Sequence, residues 1–326
     1  MLKRYFSAVL AAGLIAITFT ACSGDDGTVG DGGSGNMMDD AASVVSDAVD
    51  HTRSIVSEVT GDIGDALNGD DSRTEDRSGM DTNTGMSTNQ EAIGGTLPVA
   101  SSFSTKKIGW GQGTQVDDRN RPVGAVTAAA QYGKYDAIFL GADEKAITLT
   151  FDEGYENGYT PVILDVLKEK DVSAVFFVTG DYVEKEPDLI RRMIDEGHTV
   201  GNHSQNHPSM PELSETEMAQ EIKTLHDTLL NDFGYTMTLF RPPMGEFSEQ
   251  SLAVTQSLGY RSMFWSFAYK DWVVDDQMGP EAALKKTCGA LHPGAVYLLH
   301  AVSSDNAAIL GDFIEEARAQ GYTFTV

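Results

Sequence analysis

Short apolar runs rich in β-branched and aromatic side chains recur along the C-terminal part of the chain, with helical periodicity between most of them. They fall at 145–151 (KAITLTF), 173–179 (SAVFFVT), 198–203 (HTVGNH), 237–241 (MTLFR), 260–266 (YRSMFWS), 295–300 (AVYLLH) and 322–326 (YTFTV). Runs of this length and composition predict strands. The intervening segments carry helix punctuation. Thr160-Pro161 reads as an N-cap followed by proline at the first helical position, and Val162, Ile163, Val166 and Leu167 form a buried stripe. Pro187 opens the next helix and Gly197 stops it after Ile190, Met193 and Ile194. Ser214 with Glu217 forms a capping box before a long helix, and Gly259 and Gly321 sit where helices stop before strands. Seven strands alternating with helices imply a parallel α/β arrangement. An open doubly wound sheet competes, but this number of units favours closure, so the expected fold is a distorted parallel (β/α) barrel of about seven strands.

The texture upstream is different. Residues 23–103 hold sixteen Asp and Glu against three Arg, no Trp and no Tyr, and carry half of the chain's net charge of −26. Such a stretch buries too little apolar surface to offset its ordering entropy, which predicts a disordered acidic tether. Within it Val45, Ala48, Thr52, Ile55 and Val59 recur at three- and four-residue steps, a transient helix in a linker rather than a partner-binding one. Residues 104–144, with Trp110 and the YDAIFL run at 135–140, predict an extension packed on the main fold, which itself spans 145–326. Residues 1–22 read as a secretion signal: Lys3 and Arg4, then an apolar stretch from Ala8 to Phe19 too short to span a bilayer, then small residues before Cys22. That ending resembles the bacterial lipobox, which implies lipidation at Cys22 and a membrane-anchored, extracytoplasmic protein. The large negative charge argues against nucleic acid as a partner. Cys22 and Cys288 alone make no disulfide framework, and Cys288 reads as a small buried apolar residue.

Polar residues cluster where the predicted strands end. Asp152-Glu153 follows the first, His203 with His207 the third, Arg241 the fourth, Asp271-Trp272 the fifth and His300 the sixth. Each alone has an ordinary explanation: a loop cap, a salt-bridge partner, a hydrogen-bonded core histidine. In a parallel barrel, however, the C-terminal ends of the strands share one face, where active sites lie. A carboxylate, two spaced imidazoles, a charged orienting Arg and a His–Asp pair on one face are what metal-assisted hydrolysis requires. His51, His198, His226 and His292 lack such company and read as structural or exposed.

From about residue 145 to the end, the chain resembles the polysaccharide deacetylases of carbohydrate esterase family 4. Thr150-Phe151-Asp152-Glu153-Gly154, His203-Ser204-Gln205-Asn206-His207, Arg241-Pro242-Pro243-Met244-Gly245, Asp271-Trp272 and Leu298-Leu299-His300 resemble its five motifs in order. The phrases TFDEGYENGYTP, VGNHSQNHP, FWSFAYKDW and LLHAVSSDNA are most similar to the delta-lactam-forming branch, which acts on N-acetylmuramic acid in peptidoglycan.

The resemblance implies a metal-assisted removal of acetate from an N-acetylated cell-wall sugar. His203, His207 and Glu153 would hold a divalent metal, zinc first and cobalt or manganese as alternatives. Asp152 would be the general base oriented by Arg241, and His300 the general acid backed by Asp271. The Met244 backbone N–H, beside Gly245, would face the oxyanion, and Trp272 would wall the sugar pocket, with Trp265 either beside it or in the core. Glu153 stands where the wider family has Asp, and its extra methylene moves the carboxylate by about 1.5 Å against a ligand tolerance of about 0.2 Å, so a weaker metal site is expected; the alternative is that Glu153 points away and only braces the loop. N-acetylglucosamine in peptidoglycan or a chitin-like polymer is the alternative substrate. A non-catalytic wall-binding lipoprotein is the alternative class, which the joint presence of a base, its orienting Arg and an acid disfavours.

Overall fold

The structure is a computed structural model that describes residues 102–326. The signal segment with Cys22, the 45–59 periodicity, His51 and residues 23–101 of the expected tether lie outside the described residues.

The described chain runs β1 (Ile108–Gly109), α1 (Val123–Tyr132), β2 (Ala146–Glu153), α2 (Thr160–Glu169), β3 (Val175–Val178), α3 (Gly180–Lys185), α4 (Pro187–Asp195) and β4 (Thr199–Asn202). It continues with α5 (Glu215–Phe233), β5 (Leu239–Phe240), β6 (Glu246–Phe247), α6 (Glu249–Ser257) and β7 (Arg261–Ser262). The last elements are α7 (Pro280–Gly289), β8 (Ala295–His300), α8 (Ser304–Ala319) and β9 (Thr323–Phe324).

All seven predicted runs become strands of one sheet, paired in parallel in the order β7-β5-β4-β3-β2-β8, with β9 also on β2. Both faces of the central strands are covered: all four residues of β3 are buried. This is why these segments read as continuous apolar runs rather than alternating ones. The sheet curls but does not close by a full ladder. β5 and β7 are two residues long, and the gap between the β7 segment and β8 is spanned by the single parallel bridge Phe267↔Tyr297. β9 adds no further rung to the curl. It pairs with Ala146 and Ile147 on the side of β2 away from β8, before β3 joins at Thr150.

Helix punctuation largely follows the sequence. Pro187 opens α4, and the Ser214–Glu217 capping box is complete in both directions. At α2 the cap shifts by one residue: Tyr159 is the N-cap and Thr160 already helical. The Glu156 carboxylate accepts the amides of Gly158 and Thr160, so the free helix donors there are met from upstream and a threonine cap is not needed. Cys288 is half-buried against the main core rather than enclosed in it.

The core has two principal parts. The larger lies between the sheet and its helices and includes Phe151, Phe176, Leu225 and Phe313. The second is aromatic and joins the segment upstream of β2 to the β6–β7 region, through Tyr132, Phe139, Phe247, Phe264 and Trp265. Phe139 stacks on Phe264 with centroids 4.3 Å apart.

Candidate active site

Parallel pairing puts the polar strand ends together. Asp152 lies opposite His300 on the β2–β8 ladder, and Glu153 lies opposite Val178, which is itself opposite Asn202. His203 follows Asn202 and Arg241 follows Phe240, so both sit on the same rim.

Arg241 is wholly buried, and its guanidinium is spent on the protein. Nη1 donates to Asp152 Oδ1 at 2.7 Å and Thr150 Oγ1 at 2.8 Å, while Nε and Nη2 each donate at 3.0 Å to the Met263 and Phe264 carbonyls. Its planar cation also lies 4.1 Å above the Phe177 ring. Burial alone would push the Asp152 carboxyl up. Arg241 outweighs burial, with help from His203 and His300, and holds it below the usual carboxylate range.

His203 is buried, and its Nδ1 meets the Arg241 carbonyl at 2.8 Å. A carbonyl only accepts, so Nδ1 carries the proton and Nε2 keeps a lone pair, 3.5 Å from Asp152 Oδ2. Burial depresses its pKa to about 4. His207 shows an exposed edge to solvent, yet the packing around the rest of its ring lowers its pKa as well. The two rings lie 4.7 Å apart at 74°. Their spacing is built on a loop, not a helix, with Ser204 and His207 at φ of 67° and 58°. Such backbone persists only where surroundings over-determine it. Here Asn202 Oδ1 accepts the Ser204 amide, Ser204 Oγ accepts the His207 amide, and Glu221 of α5 receives both the amide and the side chain of Asn206. Beside His207 opens a cavity of about 420 Å³, also lined by Thr179, Asp181, Glu184, Gln205 and Asn206.

On the other side of Asp152, His300 donates through Nδ1 to Asp271 Oδ1 at 2.7 Å and through its backbone amide to Asp271 Oδ2 at 2.8 Å. Nε2 is left facing the site. Burial disfavours the imidazolium, but Asp271 and then Asp152 outweigh it and raise the His300 pKa. Asn306 of α8 donates to Asp271 Oδ2 and to the His300 carbonyl. The Trp272 ring, half exposed, lies 5.6 Å from the His300 ring. Met244 is 54% exposed at φ 57°, with Gly245 behind it, while Trp265 is buried.

Glu153 does not join this group. Successive strand residues point to opposite faces, and Glu153 is buried on the face occupied by Tyr182, Thr160 and Glu156. Neither of its oxygens has a hydrogen-bond partner, and the Thr160 hydroxyl opposes its pKa rise without reaching hydrogen-bond geometry. Burial, then Glu156 and Asp152, raise its pKa well above the usual value. Among the described residues no three His, Cys, Asp or Glu side chains assemble as a metal site. The donors that do converge are the two neutral imidazoles and Asp152. The two imidazoles fit a divalent cation in chemical type, with the Asp152 carboxylate beside them as the nearby charge.

Thr150, Asn202, Glu221 and Asn306 went unassigned in the sequence. Thr150, Asn202 and Asn306 lie inside the quoted phrases, but only the folded chain shows what they hold. His198, His226 and His292 are core residues bonded to the Ala174 amide, the Tyr260 hydroxyl and the Ser266 hydroxyl respectively.

A polysaccharide deacetylase family model matches residues 140–263. The chain is 43% identical over 234 residues to the peptidoglycan-N-acetylmuramic acid deacetylase PdaA of Bacillus subtilis, covering 71% of this chain and 89% of that one. The solved structure of B. subtilis PdaA, a family 4 carbohydrate esterase, superposes with a TM-score of 0.65 over 68% of this chain and 95% of that one. The peptidoglycan-N-acetylglucosamine deacetylase PgdA of Listeria monocytogenes is 34% identical over 180 residues, 55% of this chain and 37% of that one. Matching in sequence and in curled-sheet architecture alike, the chain belongs to the polysaccharide deacetylase family, the family 4 carbohydrate esterases, hydrolases that act on amide bonds.

Proposed function

We propose that the protein removes the acetyl group from N-acetylmuramic acid in peptidoglycan. The observation that carries the mechanism is a pair of groups on one rung with pKa values pushed apart: Asp152, kept ionised by Arg241, and His300, kept protonated by Asp271. Asp152 takes the proton of the attacking water, and Arg241 fixes the orientation of its carboxylate. His300 Nε2 delivers a proton to the departing sugar amine, and Asp271 stabilises the imidazolium and fixes its tautomer. The Met244 backbone N–H donates to the oxyanion. Trp272, exposed beside His300, offers a face for the sugar ring.

His203 and His207, with a carboxylate, would hold a divalent cation, zinc in preference to cobalt or manganese. Such an ion, when bound, polarises the amide carbonyl and lowers the pKa of water to about 7. The muramic-acid substrate is supported by the 43% identity to PdaA. A second reading, N-acetylglucosamine as substrate, is favoured by the PgdA relative. Residues 23–103 serve as a spacer, residues 104–144 belong with the deacetylase domain at 145–326, and lipid on Cys22 anchors the protein outside the cytoplasm. No helix among the described residues is long and apolar enough to cross a membrane.

Acetate release from peptide-stripped peptidoglycan, with and without a chelator, tests the activity and its metal dependence together. Product analysis decides the sugar. Muramic acid with intact N-acetylglucosamine is the expected result, and glucosamine alone would establish the second reading.

A further inference from the structure

We propose that residues 108–112, upstream of the barrel, form a strap that positions the active-site loop 242–247, with Trp110 and Gln112 as positioning residues. The proposal rests on the assignment of the Met244 N–H as oxyanion donor.

The strap lies outside the segment matched by the family model, which begins at residue 140. β1 pairs antiparallel with β6, Ile108 opposite Phe247 and Gly109 opposite Glu246. The Trp110 amide then donates to the Gly245 carbonyl at 3.0 Å. Both ends of the loop are thus fastened: Arg241 is fixed within the barrel, and residues 245–247 are held by the strap. Between them Met244 sits at φ 57° and Gly245 at φ 68°. Left-handed backbone at a non-glycine residue is held only by its surroundings.

The Trp265 indole and the Trp110 backbone supply those surroundings. A Cβ on Gly245 would lie 2.6 Å from Trp265 Cη2 and 3.4 Å from the Trp110 Cβ and carbonyl oxygen, so the loop backbone is pressed directly against the Trp265 ring and lies in contact with Trp110. Trp110 Nε1 donates to the Trp265 carbonyl, Trp265 Nε1 donates to Gln112 Oε1, and Gln112 Nε2 donates to the Ala268 carbonyl, each at 3.0 Å. The Trp110 ring packs edge-on to Phe139 at 4.5 Å. The strap therefore ties loop 242–247 to segment 263–268. That segment also carries the Met263 and Phe264 carbonyls that hold Arg241. Helix α1 backs the strap so closely that a Cβ on Gly124 would lie 2.7 Å from the Gln112 carbonyl oxygen. A displaced donor costs rate rather than binding, because its hydrogen bond matters where charge develops.

The test compares full-chain wild type with Trp110→Ala, Gln112→Ala and the conservative Trp110→Phe. The measurements are amide hydrogen exchange in peptides spanning 242–247 and steady-state kinetics at saturating metal. Trp110→Ala should speed exchange in the loop and lower kcat about 10–100-fold, with KM within about two-fold and metal content unchanged. Trp110→Phe, which keeps the ring packing against Phe139 but not the Nε1 donor, should recover part of the loss. Gln112→Ala should show the same pattern, smaller, and decides the matter if Trp110→Ala does not fold. Loop exchange at the wild-type rate in the folded variants overturns the strap. Faster exchange with unchanged kcat overturns its catalytic role by removing Met244 from the oxyanion site. Wild-type protein that releases no acetate would defeat the proposed activity, while the exchange comparison would still decide whether the strap holds the loop.

Discussion

On one face of β2, Asp152 meets a buried guanidinium at 2.7 Å and stays charged; on the other, Glu153 is enclosed with neither oxygen bonded and its pKa driven up. The two carboxylates are neighbours in sequence and have nearly the same chemistry in water. Burial acts on both in the same direction, raising the pKa. What separates them is the partner: Arg241 reaches one face only, and the other face holds a further carboxylate, Glu156, and the Tyr182 hydroxyl. The face a strand residue occupies thus decides its protonation state more than its residue type does.

Asp152→Asn should break this contrast most severely, lowering kcat by roughly 10²–10⁴ while the chain stays folded. Glu153→Gln, by comparison, should leave turnover and metal-binding isotherms near wild type, and a weakened isotherm would bring Glu153 back among the metal ligands. Next comes Arg241→Ala, which leaves Asp152 buried without its cation and should cost about 3–5 kcal/mol in denaturant unfolding.

Glu153→Gln should gain stability relative to wild type as pH rises from 4 to 8. The sign follows from linkage. The folded protein holds the Glu153 proton more tightly than the unfolded chain, so wild-type stability falls as pH rises above 4.5 towards the folded pKa. The Gln variant should lack that fall, and thermal melts across pH 4–8 would reveal it.

Burial works against the His300 imidazolium, but Asp271 outweighs it and raises the pKa above the ordinary 6.5, so its stabilising charge is present below 6.5 and lost as pH rises through the folded pKa. The alkaline limb of the rate profile should lie above 6.5 in wild type and move to lower pH in Asp271→Asn. An unmoved limb would detach His300 from the proton delivery. Thr150→Val is the mildest test. It removes one donor-acceptor link between Arg241 and the Tyr297 carbonyl and should cost about 1 kcal/mol.

The strands and the rim residues were legible because apolar runs and motif spacing are local signals. Asp152, His203, Arg241 and His300 all end strands, and parallel pairing brings strand ends together whatever the loops do. Glu153 was not legible, since a residue at the last position of a strand turns toward the site or away from it according to where the backbone leaves the pleat. The α2 cap was misplaced by one residue because Glu156 supplies from a distance what a local Thr was expected to give. The seventh run does join the sheet as β9, but its pairing with the start of β2 is a choice no local pattern encodes. Trp110 read as part of a packed extension; its bond to Gly245 spans 135 positions and has no trace in spacing.

The saturation of Arg241 also bears on inhibition. A guanidinium at the site of an amide hydrolase invites ligands carrying a carboxylate or phosphonate to form a forked ion pair. This one is wholly enclosed, its Nε, Nη1 and Nη2 are engaged by the protein's own oxygens, and its flat face is covered by Phe177. An anionic group added to a candidate inhibitor would gain nothing from it and would meet the charge of Asp152 instead. Neutral amide mimics with a flat face for Trp272 are the better starting point.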